Sequence, residues 1–291
     1  MKYFPLFFCC LLLLFTSLSS KESFHLLEEF ENEGCFLSLI ENSKSDRFIV
    51  KQIKGEDPSE QFLLIVDVCA SNLGVEWGIP LNRVSLIPAG QDFPGKRKLH
   101  LPATVHKLVP GASTEDFLPW ENFSIHQRYH RPLSCEKLWG KLPEERKGMT
   151  AEVIKTMICH VDLLKICAFD TFIGNGDRSN PNVFYDQLEN RFWGIDMAAS
   201  LNAPLAKIAY QKFKTIPFNP SFELYFSTLK KLHENISPRV VEELLKSYLS
   251  KSRYFKKDDE AARKRLRHHL KIFEENDSFV SLIVEDFECH P

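Results

Sequence analysis

The sequence is short of most of the features that assign a chain to a class at sight. Its eight cysteines include no CxxC pair and no His/Cys spacing suited to a metal, which excludes reading a zinc site from the sequence. No apolar stretch reaches the roughly 20 residues of a membrane-spanning helix. Neither sign of charge dominates: 37 Lys and Arg stand against 39 Asp and Glu, with a formal net charge of -2 and a pI near 6.6. There is thus no overall pull toward nucleic acid or an anionic membrane, and any such preference must come from a local patch. No repeat or low-complexity tract is present, which excludes solenoids and arrays.

What is there is a chain of ordinary globular composition, 291 residues with 44% hydrophobic content, enough for one large domain or two packed lobes. The first twenty residues, MKYFPLFFCCLLLLFTSLSS, read as a secretory signal: Lys2, an apolar run from about Leu6 to Phe15, then Ser17 and Ser19 at positions that suit cleavage. The competing reading is an uncleaved anchor. Loss of the leader removes Cys9 and Cys10 and leaves Cys35, Cys69, Cys135, Cys159, Cys167 and Cys289. Secretion permits disulfides, but Cys69, Cys159 and Cys167 stand in apolar helical patterns that suit buried thiols.

Residues 34–42 and 47–53 alternate apolar and polar positions around the polar turn NSKSD, the pattern of a hairpin. Pro58 opens a helix that Gly74 is expected to close. Two short strands follow, in WGIPLNRVSLIPAG and in PATVHKLVPG. From Thr150 the spacing turns helical for more than twenty positions and ends at Gly174. A polar loop, FIGNGDRSNPN, leads into a hairpin with QLEN as its turn. Two further helices are expected, one at Ser237-Pro238 and one around DDEAARKRLRHHLKIF. In the latter, Leu266, Leu270 and Phe273 face the core and the basic positions face solvent or an acidic partner. His106, His126, His130 and His160 show no metal spacing, and Asn122, Asn235 and Asn276 begin N-x-S sequons.

The loop and hairpin place Asp177, Asn182 and Asp196 together. Phosphoryl transfer asks a protein for a lysine on the phosphates, oxygen ligands for a metal that bridges them, and a carboxylate beside the attacking hydroxyl. Lys51, in the strand RFIVKQI, supplies the first. Asn182 and Asp196 suit hard Mg2+ or Mn2+, and Asp177 suits the base. The spacing from Asp177 to Asn182 equals the D-x-x-x-x-N of kinase catalytic loops, and Ile195-Asp196-Met197 stands where those enzymes keep Asp-Phe-Gly.

AFDTFIGNGDRSNPNVFYD followed by FWGIDMAAS resembles the catalytic core of the phosphatidylinositol 3- and 4-kinase-like superfamily, whose members read FD-x-x-I-x-N-x-DR-x-x-x-N and then ID. GCFLSLIENSKSDRFIVKQI resembles the nucleotide-covering hairpin and lysine strand of its type II lipid kinases and bacterial toxin kinases. The resemblance spans roughly residues 34–200. It implies a two-lobed, protein-kinase-like α+β fold, with a small β-rich lobe over 21–111 and a larger helical lobe over 112–291. It also implies ATP and Mg2+ (or Mn2+) as cofactors. Residue by residue it makes Lys51 the phosphate lysine, Asp177 the catalytic aspartate, and Asn182 and Asp196 the metal ligands. Asp170 and Asn175 become loop supports, and Gly34 the one glycine of the phosphate cover. His106, Lys107 and Leu108 become a hinge offering backbone groups to adenine. Glu60, at the start of its helix, is favoured over Asp67 as the acid that partners Lys51. Arg178 departs from the His-Arg-Asp order of ordinary protein kinases.

The expected activity is transfer of the ATP γ-phosphate to a hydroxyl, with a protein acceptor favoured over a phosphoinositide. Membrane-surface contact, if any, falls to the basic C-terminal helix, and no nucleic-acid partner is expected. The expected location is secreted. A nucleotide-binding pseudokinase is the competing class. A bland reading of each residue also exists, with Lys51 a solvated strand lysine and Asp177 and Asn182 Asx groups of a turn.

Overall fold

The structure is a computed structural model that describes residues 23–31, 34–114, 160–178, 182–214, 222–256 and 259–288. The leader, Cys135, Cys159, Cys289, His126, His130, Asn122 and residues 150–159 of the expected helix lie outside the described residues.

The two alternating stretches form the expected hairpin, β2 (Cys35–Asn42) and β3 (Arg47–Ile53), antiparallel with Leu37 opposite Lys51. Asn42 shapes the turn, since its Oδ1 accepts from the amides of Lys44 at 3.0 Å and Asp46 at 2.9 Å. A strand not expected from the sequence, β1 (Phe24–Glu31), pairs antiparallel with β2. Nearly all of it is exposed, so neither face imposes an apolar period and FHLLEEFE carries no strand signal. Its presence puts Gly34 in the connection between β1 and β2.

Asp57 caps α1 (Pro58–Glu76), its carboxylate accepting from the Ser59 amide at 2.7 Å, with Pro58 in the first turn. Gly74 does not close this helix, contrary to expectation. It lies inside it, because this is where α1 packs most closely. A Cβ there would stand 2.4 Å from Leu81 and 3.1 Å from Phe169. The helix is buried over most of its length from Gln61 to Gly74, and its apolar side chains join the main core. β4 (Val84–Ile87) and β5 (Ala103–Lys107) complete a five-stranded antiparallel sheet of order β1-β2-β3-β5-β4.

After Lys107 the chain crosses into β6 (Ala112–Ser113), the edge of a second sheet of order β6-β7-β8. Gly111 makes the crossing at φ 93°, where a Cβ would lie 2.3 Å from the Tyr185 carbonyl oxygen. α2 (Val161–Ile173) ends at Gly174 in the left-handed conformation, as expected, but it starts well after the expected Thr150, because His160 is extended and caps it by accepting from the Asp162 amide. β7 (Val183–Asp186) and β8 (Arg191–Gly194) form the hairpin around residues 187–190, where Asp186 accepts from the amides of Leu188 and Glu189.

Four helices follow where two were expected: α3 (Leu205–Phe213), α4 (Glu223–Asn235), α5 (Pro238–Lys251) and α6 (Glu260–Glu288). The first two are short and carry only a narrow apolar stripe, so tertiary packing sustains them more than propensity does. In α6, Leu266 and Phe273 are buried and Leu270 partly so. The chain is thus a β-rich part followed by a mainly helical part with a small sheet, the two-part α+β architecture expected from the sequence. The main core runs from α1 and α2 through α4, α5 and α6, and a smaller cluster around Ile40, Val50 and Val105 lies within the five-stranded sheet.

Candidate active site

β3 carries Lys51 into the seam between the two parts. Its Nζ stands 2.8 Å from Oδ2 of Asp196, a contact across 145 positions of sequence. The segment Pro80 to Asn82 aims Asp196. Leu81 bridges to Gly194, the Gly194 amide donates to the Pro80 carbonyl at 2.9 Å, and the Asn82 amide donates to the Gly194 carbonyl at 3.2 Å. The chain then turns sharply, with Asp196 at φ 53°, a region that costs a non-glycine residue energy. Burial opposes charge on Lys51, yet Asp196 and then Asp67 outweigh it and hold the amine above its usual pKa. Burial likewise works to raise Asp196, but Lys51 overrides it and keeps the carboxylate below its usual range.

Asp67, from the middle of α1, is the second acid at the lysine. It is fully buried. One oxygen accepts from the Met197 amide at 3.0 Å and from the Ser71 hydroxyl at 3.2 Å, and the other has no hydrogen-bond partner. Burial raises its pKa, with His106 opposing. The favoured partner, Glu60, is elsewhere. Its carboxylate lies against Gly55 near the start of α1, and it is not among the charges acting on Lys51. Position along α1 decides this, since Glu60 is in the first turn and Asp67 two turns deeper. The sequence held the signal, a lone carboxylate inside SEQFLLIVDVCASNLG that burial would penalise unless it met a cation.

The loop after α2 is built around a buried ion pair. Arg178 is 1% exposed and grips Asp170 with two bonds, Nε to Oδ2 at 2.9 Å and Nη2 to Oδ1 at 3.0 Å. Its Nη1 donates to the carbonyls of Asn182 at 2.8 Å and Ile195 at 2.6 Å. Asn175 adds a bond to Asp170 Oδ1 at 2.9 Å and accepts from the Asp177 amide at 3.3 Å. One guanidinium therefore ties the loop bearing Asp177 and Asn182 to the strand end bearing Asp196. Sequence reasoning noted Arg178 only as a departure from another motif; its work as a tie becomes visible with the fold.

Asp177 itself is exposed. Partial burial, and then the negative charge of Asp196, raise its pKa. The Asn182 amide donates to the Asp177 carbonyl at 2.9 Å, which brings the two side chains to the same end of the loop. Asp177, Asn182 and Asp196 thus converge as an all-oxygen set with two mutually repelling carboxylates, a set that suits a hard divalent cation.

The expected hinge residues differ in exposure. Lys107 and Leu108 are exposed; their amides donate to the carbonyls of Arg83 at 3.2 Å and Arg47 at 2.9 Å, and Lys107 Nζ pairs with Asp46 at 3.2 Å. His106 turns inward instead, its ring between Thr104, Asn82 and Asp67. Gly34 stands three residues along β3 from Lys51, its carbonyl accepting from the Lys54 amide at 2.9 Å, and Cys35, on the same face of β2 as Leu37, is the nearer residue on the lysine's face. Cys69 and Cys167 are buried thiols, with burial pushing Cys69 up to about 12.

No protein family and no curated protein matches the sequence. Solved structures resemble it. The proinflammatory kinase CtkA of Helicobacter pylori is 13% identical, with a TM-score of 0.47 over 89% of this chain and 96% of that one. An aminoglycoside phosphotransferase from Alicyclobacillus acidocaldarius is 12% identical, with a TM-score of 0.32 over 90% and 93%. The Rio2 kinase of Chaetomium thermophilum, solved as an ADP/Mg2+-phosphoaspartate complex, is 12% identical, with a TM-score of 0.34 over 86% and 71%. At these values the likenesses carry no functional argument, which rests on the site itself.

Proposed function

We propose that the protein is a phosphotransferase that moves the γ-phosphate of ATP to a hydroxyl acceptor with a divalent cation. The observation that carries this reading is the 2.8 Å pair between Lys51 and Asp196, with the loop of Asp177 and Asn182 tied beside it through Arg178. A partly buried pair of this kind is weak evidence for stability, because desolvation of the charges offsets much of their attraction. Two opposite charges set beside further carboxylates suit a polyphosphate with its metal better than they suit a core.

In this reading Lys51 neutralises phosphate oxygens, and Asn182 and Asp196 hold Mg2+ or Mn2+. A divalent cation held by these two residues would supply positive charge against the charge that builds on the phosphates during transfer. Asp177 orients the acceptor hydroxyl and takes its proton, which its raised pKa favours. Gly34 and its neighbours cover the phosphates. His106, Lys107 and Leu108 are assigned to the adenine end in this reading, with the amides of Lys107 and Leu108 already engaged by Arg83 and Arg47.

The acceptor is a protein hydroxyl in this proposal, and the chain is exported. ATP is scarce outside cells, so an exported kinase acts where another cell supplies it. Cleavage near Ser20 leaves every described element whole, since β1 begins at Phe24. N-terminal sequencing of exported protein should start at Ser20 or Lys21, and recovery of Met1 in a membrane-held product contradicts it. A phosphoinositide acceptor is the alternative. One observation favours it: Lys264, Arg265, His268 and Lys271 line the exposed side of α6, the charge an anionic membrane attracts.

The test is transfer from γ-labelled ATP with Mg2+ or Mn2+ to a casein-like protein, to phosphoinositide vesicles, and with no acceptor. Label in protein supports the main reading and label in lipid the alternative. Metal-dependent ATP binding with no transfer in any arm makes the protein a nucleotide-binding scaffold. Absence of both binding and transfer overturns the proposal.

A further inference from the structure

His106 was expected to serve the site through its backbone. The residue is 8% exposed, and its ring meets Thr104, Asn82 and Asp67 at once. Nε2 stands 2.8 Å from Thr104 Oγ1 and 3.5 Å from Asp67 Oδ2, while Nδ1 stands 3.2 Å from Asn82 Nδ2. An amide nitrogen donates, so Nδ1 accepts and the ring hydrogen sits on Nε2, facing Thr104 and Asp67. The same Asp67 oxygen has no hydrogen-bond partner although the residue is wholly buried. The Nε2 hydrogen is given to Thr104, whose own hydrogen goes to the Lys51 carbonyl, so the imidazole meets the Asp67 oxygen with its positive edge at 3.5 Å and not with a hydrogen bond, with Lys51 and Asp196 the other charged groups acting there.

The other oxygen of Asp67 matters to the site. It receives the Met197 amide at 3.0 Å, directly after Asp196 in its left-handed conformation. Strain of this kind persists only where surrounding bonds over-determine it. We propose that His106 is a positioning residue: through Asp67 it holds the Met197 amide, and so fixes the turn that aims Asp196 at Lys51 and at the metal. Without the ring, the Asp67 oxygen that faces it loses the positive edge of the imidazole, the carboxylate is no longer held in place against the Met197 amide, and the turn relaxes. Thr104, whose hydroxyl donates to the Lys51 carbonyl at 3.3 Å, ties the same ring to the lysine strand. The structural claim stands on these contacts, and its catalytic consequence rests on the phosphotransferase reading.

The experiment compares the full chain with His106→Leu, which keeps apolar volume and removes both nitrogens, and with His106→Gln, which keeps a donor. Exchange of the Met197 amide should rise about tenfold in the Leu variant relative to the amides of Leu64 and Ile65, and stay near the parent's in the Gln variant. In turnover, the Mg2+ concentration for half-saturation should rise about tenfold in the Leu variant, as for loss of a group that orients a metal ligand. If His106→Leu does not fold, Asn82→Ala, which removes the partner of Nδ1, is read by the same two measures. Unchanged Met197 exchange overturns the proposal, and so does exchange that rises equally at Leu64 and Ile65, which marks general loosening. A parent chain that binds no Mg2+-ATP overturns the phosphotransferase reading alone, and Met197 exchange still decides the role of His106.

Discussion

Lys51 and Arg178 are both cations paired with aspartate, the first pair partly and the second wholly buried, and their substitution should have opposite consequences. Lys51→Met keeps the packing of the stem and removes the phosphate partner. We expect turnover to fall by 10²-fold or more, on the order of several kcal/mol of transition-state stabilisation, with the melting temperature within a few degrees of the parent's; equal transfer by both proteins rejects the assignment. Arg178→Leu takes the guanidinium from the fully buried Asp170 and frees two carbonyls. Breaking such a pair costs about 3–5 kcal/mol, so this variant should melt well below the parent, and unchanged melting refutes the structural role. Asp177 adds a pH signature. Its pKa is raised, so it binds a proton at higher pH than an ordinary carboxylate. A base must be unprotonated, so turnover at saturating metal should decline on the acid side, beginning above the usual carboxylate range. A profile with no acid limb contradicts its role. At this scale the sequence revealed the residues but not all of their partners: Asp177, Asn182 and Asp196 stood in one motif, whereas the choice between Glu60 and Asp67 depended on how deep α1 runs into the core.

Element by element, legibility followed burial. The hairpin β2–β3 and helices α2 and α5 have one or more faces that packing imposes, and their sequences showed it. β1 has no buried face, so nothing in FHLLEEFE distinguished it from a polar leader. Gly74 misled for a related reason: glycine marks helix ends and close helix contacts alike, and only the positions of Leu81 and Phe169 tell them apart. Asn276 of α6 looks like a glycan acceptor in sequence. In the structure it is wholly buried and joins three elements, donating to the carbonyls of Thr171 and Phe172 at 2.5 and 2.8 Å and accepting from the Ala206 amide at 2.8 Å. A glycan at Asn276 is incompatible with that fold. Asn276→Ala should cost about 2–4 kcal/mol by leaving buried backbone groups unpaired, measured by urea unfolding; a loss below about 0.5 kcal/mol contradicts the bridge. The contact between α4 and α6 has its own pH dependence. His233 Nδ1 lies 2.7 Å from Asp277, and this hydrogen bond raises the histidine pKa above 6.5. A raised folded-state pKa means the stabilisation is fully present below the unfolded value and is lost as pH rises through the folded one. Parent minus His233→Gln stability should therefore shrink as pH increases through that window, and a constant difference removes the pair from the account.

For the whole molecule, the two-part α+β order was legible because the apolar period changes from strand-like to helical along the chain. The convergence of the two parts was not, because Lys51 and Asp196 meet through tertiary contacts of Leu81, Asn82 and Gly194 that no local pattern encodes. The central claim is that this convergence is a Mg2+-ATP site in which two similar carboxylates do different work. Asp196 should be needed for binding and Asp177 for transfer. The most direct measurement is calorimetric titration of Asp196→Ala and Asp177→Ala with ATP and Mg2+, beside transfer from γ-labelled ATP. The account predicts that Asp196→Ala loses most metal-dependent binding and all transfer. Asp177→Ala should bind like the parent and transfer roughly 10²- to 10⁴-fold more slowly, the range for a removed general base. Loss of binding in Asp177→Ala with binding kept in Asp196→Ala reverses the two roles, and full transfer by both variants contradicts the claim.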